Sequence, residues 1–276
     1  MAIEAEEAKE ADAIGFMARM LVQATMPHKK TDELHFSRQN GNFHLAMTSF
    51  PGTGLPYGSL PRLLLAWLTT EAVRTKEREL ILGDSLSDFM RQLGLVPTGG
   101  RWGSITRIKE QTNRLFSASM QCRVETGEHT AIKNYSVASE AFIWWQPQSP
   151  GQQSLWRSTV TLDEHFFKEI IDRPVPIDMR ALHALRQSPL ALDIYSWLTY
   201  RMSYLKRSTE IPWQALQMQF GASYGLDAQG TRSFKKAFLR QLNKINVVYP
   251  EAKIAEGSYG LQLKPSKPHV ARIDKK

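Results

Sequence analysis

A single cysteine, Cys122, stands in 276 residues. One thiol forms no internal disulfide, and no Cys/His cluster has zinc spacing. The expectation is a reducing, cytoplasmic setting with no metal and no cofactor. Long apolar runs are absent too; none approaches the ~18 residues of a membrane span, so no membrane partner is expected. The N-terminus lacks the positive charge of a secretory signal. It carries Glu4, Glu6, Glu7, Glu10 and Asp12, and residues 1–26 hold only Lys9 and Arg19 against these five acids, a net −3. The histidines (His28, His35, His44, His129, His165, His183, His269) are scattered. Without a His-x-His pair, the metal site of a tyrosine-nucleophile replication nickase is missing.

What is present is an ordinary globular composition, 42% hydrophobic and 22% charged, which excludes disorder over most of the length. A chain of this length suggests two domains or one large one. The total charge is +8, so everything after residue 26 carries +11. A basic body points toward nucleic acid only weakly; the pattern along the chain has to supply the rest.

Residues 4–25 read as an acidic helix with Ile14, Met17, Met20 and Leu21 toward one side, ended by Pro27. Asn40-Gly41 between two alternating segments predicts a hairpin. The Gly/Pro-rich stretch Pro51–Gly58 follows as a loop, then a helix from Pro61 to about Thr75. Ser85 is positioned to cap a short helix ending at Gly94. A longer helix is expected over 102–117, with strands over 119–126 and 130–145. Gln146–Gln153 reads as a linker. After it come a lead-in strand, two short helices, and a helix from Ser188-Pro189 to about Leu205. A short helix over 212–220, a basic helix over 230–246 and strands near 252–256 and 259–264 complete the chain.

The halves repeat. Trp67-Leu68-Thr69 recurs as Trp197-Leu198-Thr199 at an offset of 130, Gly94 matches Gly221, Ile105 matches Phe234 and Leu115 matches Ile245. Each half reads helix, short helix, turn, longer helix, β-hairpin. The expected fold is therefore α+β: two tandem winged-helix domains, over 31–150 and 151–276, preceded by an acidic N-terminal helical segment over 1–30.

In such a unit the helix after the turn enters the major groove and buries its other face. On a helical wheel Phe234, Phe238, Leu242 and Ile245 share an arc of about 80°, while Arg232, Lys236 and Asn243 lie opposite with Arg240 close by. Lys235 and Lys244 bring residues 231–245 to five bases and no acid. A basic helix alone is more often a solvated face; its place between a short helix and a hairpin favours DNA. The first unit's helix is expected to bury Ile105, Ile108, Thr112 and Leu115 and to turn Arg107, Glu110, Gln111 and Arg114 outward, with Arg101 just ahead. Arg and Gln are the side chains that bind guanine and adenine bidentately. For this helix, phosphate or dimer contact and specific base readout are equally open.

Gly83-Asp84-Ser85-Leu86 spells the opening motif of a serine hydrolase family, but the Asp-x-x-His that should follow occurs only upstream, at Asp32–His35. Ser85 is better explained as a cap, and a hydrolase is a distant alternative. Gly52–Ser59 lacks the lysine of a phosphate-binding loop. Asp163-Glu164 reads as an acidic first helical turn and Cys122 as a structural strand residue. No catalytic residue is expected and the protein is not expected to be an enzyme.

Two stretches, Leu55-Pro56-Tyr57-Gly58-Ser59-Leu60-Pro61-Arg62-Leu63-Leu64-Leu65-Ala66-Trp67-Leu68 and Leu82–Phe89, resemble the plasmid-encoded RepA replication initiators. The same holds for Asp193–Arg201, Ile211–Leu216, Tyr249-Pro250 and Leu263–Pro268, so the resemblance spans roughly 13–270. It implies an initiator that binds repeated double-stranded sites at a plasmid origin, helps open the duplex and recruits a host replication initiator and replicative helicase. A homodimer is among the expected assemblies. A winged-helix transcriptional repressor is the alternative built on the same helices.

Overall fold

The computed structural model describes residues 13–83, 85–143, 158–221 and 223–271. It begins with a strand, β1 (Ile14–Ala18), and a single helical turn, α1 (Arg19–Gln23). The helix expected over 4–25 is thus corrected in its described part, and the acidic residues Glu4–Asp12 lie outside the described residues. The run Phe16–Ala18 is buried, as a short run enclosed on both sides must be, and periodicity alone does not separate such a strand from a buried helix. Gly15 lets β1 lie close to its neighbours: a Cβ there would collide with the Met179 side chain.

The first half continues with β2 (His35–Asn40) and β3 (Phe43–Thr48), joined by a two-residue turn at Gly41-Asn42. Gly41 has φ +59°, the conformation a tight hairpin demands of its first central residue. Next come α2 (Ser59–Thr75), β4 (Glu79–Ile81), α3 (Leu86–Gln92) and α4 (Ser104–Ser117). Then follow β5 (Ser119–Glu125), β6 (Thr130–Ser136), β7 (Ala138–Phe142) and β8 (Thr159–Leu162). The chain divides its strands at the fully buried Val137. Before it, β5 and β6 extend the first hairpin into a four-stranded sheet, β2-β3-β5-β6; after it, β7 pairs with β8, which pairs with β4. The expected hairpin thus forms between β5 and β6, and only the far part of its second strand, β7, leaves to pair with β8. The stretch Gln146–Gln153, expected as a linker, lies outside the described residues; the strands that flank it in sequence, β7 and β8, are hydrogen-bonded to each other.

The second half comprises α5 (Glu164–Asp172), β9 (Pro174–Asp178), α6 (Met179–Leu185), α7 (Pro189–Met202), β10 (Thr209–Pro212), α8 (Trp213–Phe220), α9 (Ala228–Val248), β11 (Ile254–Glu256) and β12 (Gly260–Leu263). β9 pairs antiparallel with β1. From α7 the element order matches that from α2: long helix, strand, short helix, long helix, two strands. The sheets match as well, β4-β8-β7 against β10-β12-β11. The pair β5–β6 is what the first half has in addition. The repeated tryptophans do the same work in each, since Trp67 meets Phe89 edge-on at 5.0 Å and Trp197 meets Phe220 at 5.5 Å, tying each long helix to the short one after it.

The two long helices are buried almost all round and pack on each other inside one contiguous core. Arg62 on α2, 2% exposed, crosses to Asp193 on α7 with two bonds of 2.7 Å. Its remaining donors reach the carbonyls of Met26 (2.7 Å), Pro27 (3.2 Å) and Gly58 (2.7 Å). Every N–H of the guanidinium is thereby used. The His28 imidazole donates to the other face of the carboxylate, Nε2 to Oδ2 at 2.6 Å. Burial is the largest influence and would raise the Asp193 carboxyl, but the Arg62 charge together with the hydrogen bonds from His28 and Arg62 holds the group below its ordinary value. Among the described residues no helix is long and apolar enough to cross a membrane.

Candidate nucleic-acid interface

Helix α9 is built to present one face. Asp227 caps it, its carboxylate accepting from the Gly230 N–H at 2.7 Å. Phe234, Phe238, Leu242 and Ile245, the stripe expected from the wheel, are buried with Gln241 and Val248. Phe238 sits within 6 Å of Trp213, Phe220 and Phe234 rings, an aromatic platform that fixes the helix on α8. The opposite face exposes Arg232, Lys236, Arg240, Asn243 and Lys244, and the helix carries no acid. This is a rigid basic ridge, suited to the phosphates and base edges of a duplex.

Lys235 is placed differently. Its ammonium pairs with Glu256 of β11 at 2.6 Å and lies 5.2 Å over the Trp213 ring. It fastens the hairpin β11–β12 to the helix. Beyond that clamp the hairpin tip projects Tyr259, 82% exposed. The tip is shaped by Glu210, whose Oε1 accepts from the Tyr259 and Gly260 N–H groups at 2.7 and 2.8 Å. Lys253 and Lys264 are exposed on the same hairpin.

Helix α4 corrects part of the expectation. Ile108, Thr112 and Leu115 are buried and Ile105 half-buried, as foreseen. Gln111, however, is buried too; its Oε1 accepts from the Tyr57 N–H at 2.9 Å. Arg114 donates to the Leu55 carbonyl at 3.2 Å and to Glu110 at 3.0 Å, and lies 5.4 Å over the Tyr57 ring. Both side chains hold the loop Leu55–Gly58 against α4 rather than facing outward. A wheel drawn for one helix contains no trace of a loop arriving from more than fifty residues upstream. Of the bases expected to face outward, Arg107 on α4 is exposed, as is Arg101 ahead of it, stacked 5.1 Å over the Trp102 ring; Glu110 and Asn113 of α4 are exposed as well. The turn before it is locked by Ser104, whose Oγ accepts from the Thr98 N–H at 2.9 Å and donates to the Val96 carbonyl at 2.7 Å. The sequence carried the signal for this lock only as a pair of hydroxyl residues flanking a glycine turn.

The catalytic look-alike resolves as a cap: Ser85 Oγ accepts from the Asp88 N–H at 3.1 Å. Burial pushes the Cys122 thiol up to about 12, so it is an unreactive neutral group at ordinary pH. Among the described residues no three His, Cys, Asp or Glu side chains gather where they could hold a metal ion.

The family described as plasmid-encoded RepA protein matches residues 55–215, which contain both members of the Arg62–Asp193 pair and all of α3 and α4. No curated protein matches the chain. Crystal structures of domains 2 and 3 of RctB share its fold. One, a selenomethionine derivative, aligns over 89% of this chain and 98% of its own at 12% identity and a TM-score of 0.56. A second covers 89% and 96% at 12% identity, with a TM-score of 0.53.

Proposed function

Because the chain belongs to the plasmid-encoded RepA family of replication initiators, we propose that it binds repeated duplex sites at a plasmid origin through two tandem winged helices. In this reading α3–α4 with the wing β7–β8 forms the first unit, α8–α9 with the wing β11–β12 forms the second, and the boundary between them falls after Leu162. The acid-free outer face of α9, held on an aromatic platform beside a clamped hairpin, carries the proposal. Arg232, Lys236, Arg240, Asn243 and Lys244 meet the major groove, and Lys235 acts through the wing it positions. Arg101 and Arg107 make the first unit's contact, which is smaller because Gln111 and Arg114 are occupied by the loop. Opening of the duplex and recruitment of a host initiator and replicative helicase follow from binding at an origin.

Footprinting on the origin region of the plasmid that encodes the protein, with gel shifts over a salt series, tests this. Neutralising ~6–10 phosphates gives a log–log salt slope of about −5 to −9. Arg240→Ala or Lys236→Ala is expected to cost about 1–3 kcal/mol and relax one base position if the side chain reads a base, or to lower the slope by about one if it touches phosphate. A slope near zero removes the reading.

A further inference from the structure

An apolar residue just ahead of a helix cap often folds back on the first turn, packing against an apolar fourth helical residue as a staple. Two such residues here do not. Trp102 precedes the Gly103 cap of α4 and is 83% exposed; Leu226 precedes the Asp227 cap of α9 and is 75% exposed. The residues they would staple are Arg107 and Thr231, neither of them a large apolar side chain. So the same position of each repeat holds a large apolar group in water, at the end of the helix that approaches base edges first. Exposed cations accompany both helices: Arg101 stacks on Trp102 with Arg107 exposed one turn on, and α9 exposes Arg232 in its second turn and Lys236 in its third.

An exposed apolar group at the helix end that meets base edges, with exposed arginines further along the same helix, narrows the choice of occupant. The major groove takes both kinds of group at once, with phosphates at its rims and one apolar group on its floor, the thymine C5-methyl. We propose that Trp102 and Leu226 are specificity residues that contact thymine methyl groups, one in the segment read by each unit. This rests on the duplex-binding reading above.

The test uses the full chain and duplexes it selects from a randomised pool. Each thymine in the selected site is replaced in turn by deoxyuridine, which removes only the methyl. The wild type is expected to lose about fourfold per contacted methyl, the worth of one buried CH₂-sized group. Trp102→Ala and Leu226→Ala are each expected to bind the thymine site as weakly as the wild type binds its deoxyuridine version, and to be indifferent to that one replacement. Trp102→Phe should keep the sensitivity. Both side chains are exposed, so the fold is not at stake. Deoxyuridine without effect anywhere, or alanine variants that keep full sensitivity, overturns the proposal. So does an unchanged DNA preference with altered sedimentation, which would make the patch a contact between copies. Selection of no sequence, with no salt-dependent binding to any duplex, would instead remove the duplex-binding reading itself.

Discussion

Arg62 shows how much one side chain can organise. Its five donors close on two carboxylate oxygens and three carbonyls from three chain segments. Removing one partner of such a pair strands the other charge in the core, so Arg62→Met is expected to cost about 3–5 kcal/mol in urea unfolding. A loss below 1 kcal/mol would mean that water reaches the site. The neighbouring imidazole adds a pH dependence. Burial holds the His28 pKa below its ordinary value despite Asp193, so the folded protein keeps it neutral. The unfolded chain takes up a proton near the usual value of about 6.5. Stability is therefore complete above that pH and is lost as pH falls toward the folded value. Asp193 follows the same sign lower down: its share is whole above about 4 and goes as acid protonates the folded carboxylate. His28→Gln should flatten part of the decline in melting temperature between pH 7 and 5, with His183 and His269, also lowered by burial, keeping the remainder. Equal slopes in variant and wild type would contradict this.

At the scale of elements, the caps are the most local devices in the fold and the most legible. Ser85→Ala should lower stability by about 0.5–2 kcal/mol through the lost bond to the Asp88 N–H, and no ester hydrolysis should depend on it; esterase activity vanishing in the variant would reverse the assignment. The Ser188 cap and the buried stripe of α9 were equally readable, because each depends on residues within a few positions of one another. What escaped depends on distant chain. β1 is a strand only because β9, some 160 residues later, pairs with it. Val137 divides the strand expected over 130–145 because β5 pairs with its first part and β8 with its second. Gln111 and Arg114 lie on the helix face that the wheel turned outward, but Leu55–Gly58 covers that face. The candidate site was thus legible where one helix defines it and illegible where a loop or a strand exchange edits it.

For the molecule as a whole, the decisive feature is that Arg62 and Asp193 tie the long helix of one repeat to the long helix of the other. Two modules joined by a flexible tether could contact segments at a variable gap. Here the join is a buried ionic knot between two long helices, so on the duplex-binding reading proposed above α4 and α9 keep a fixed separation and a fixed rotation about the duplex axis. In that reading the protein would work as a caliper, sensitive to helical phase. Inserting ~5 base pairs, half a turn of the ~10–10.5 that make a full one, between the two contacted segments would carry one of them to the far side of the DNA. Affinity on such a duplex should drop to that of a single unit, as measured by gel shift beside the intact site; undiminished binding would show that the knot lets the halves swing.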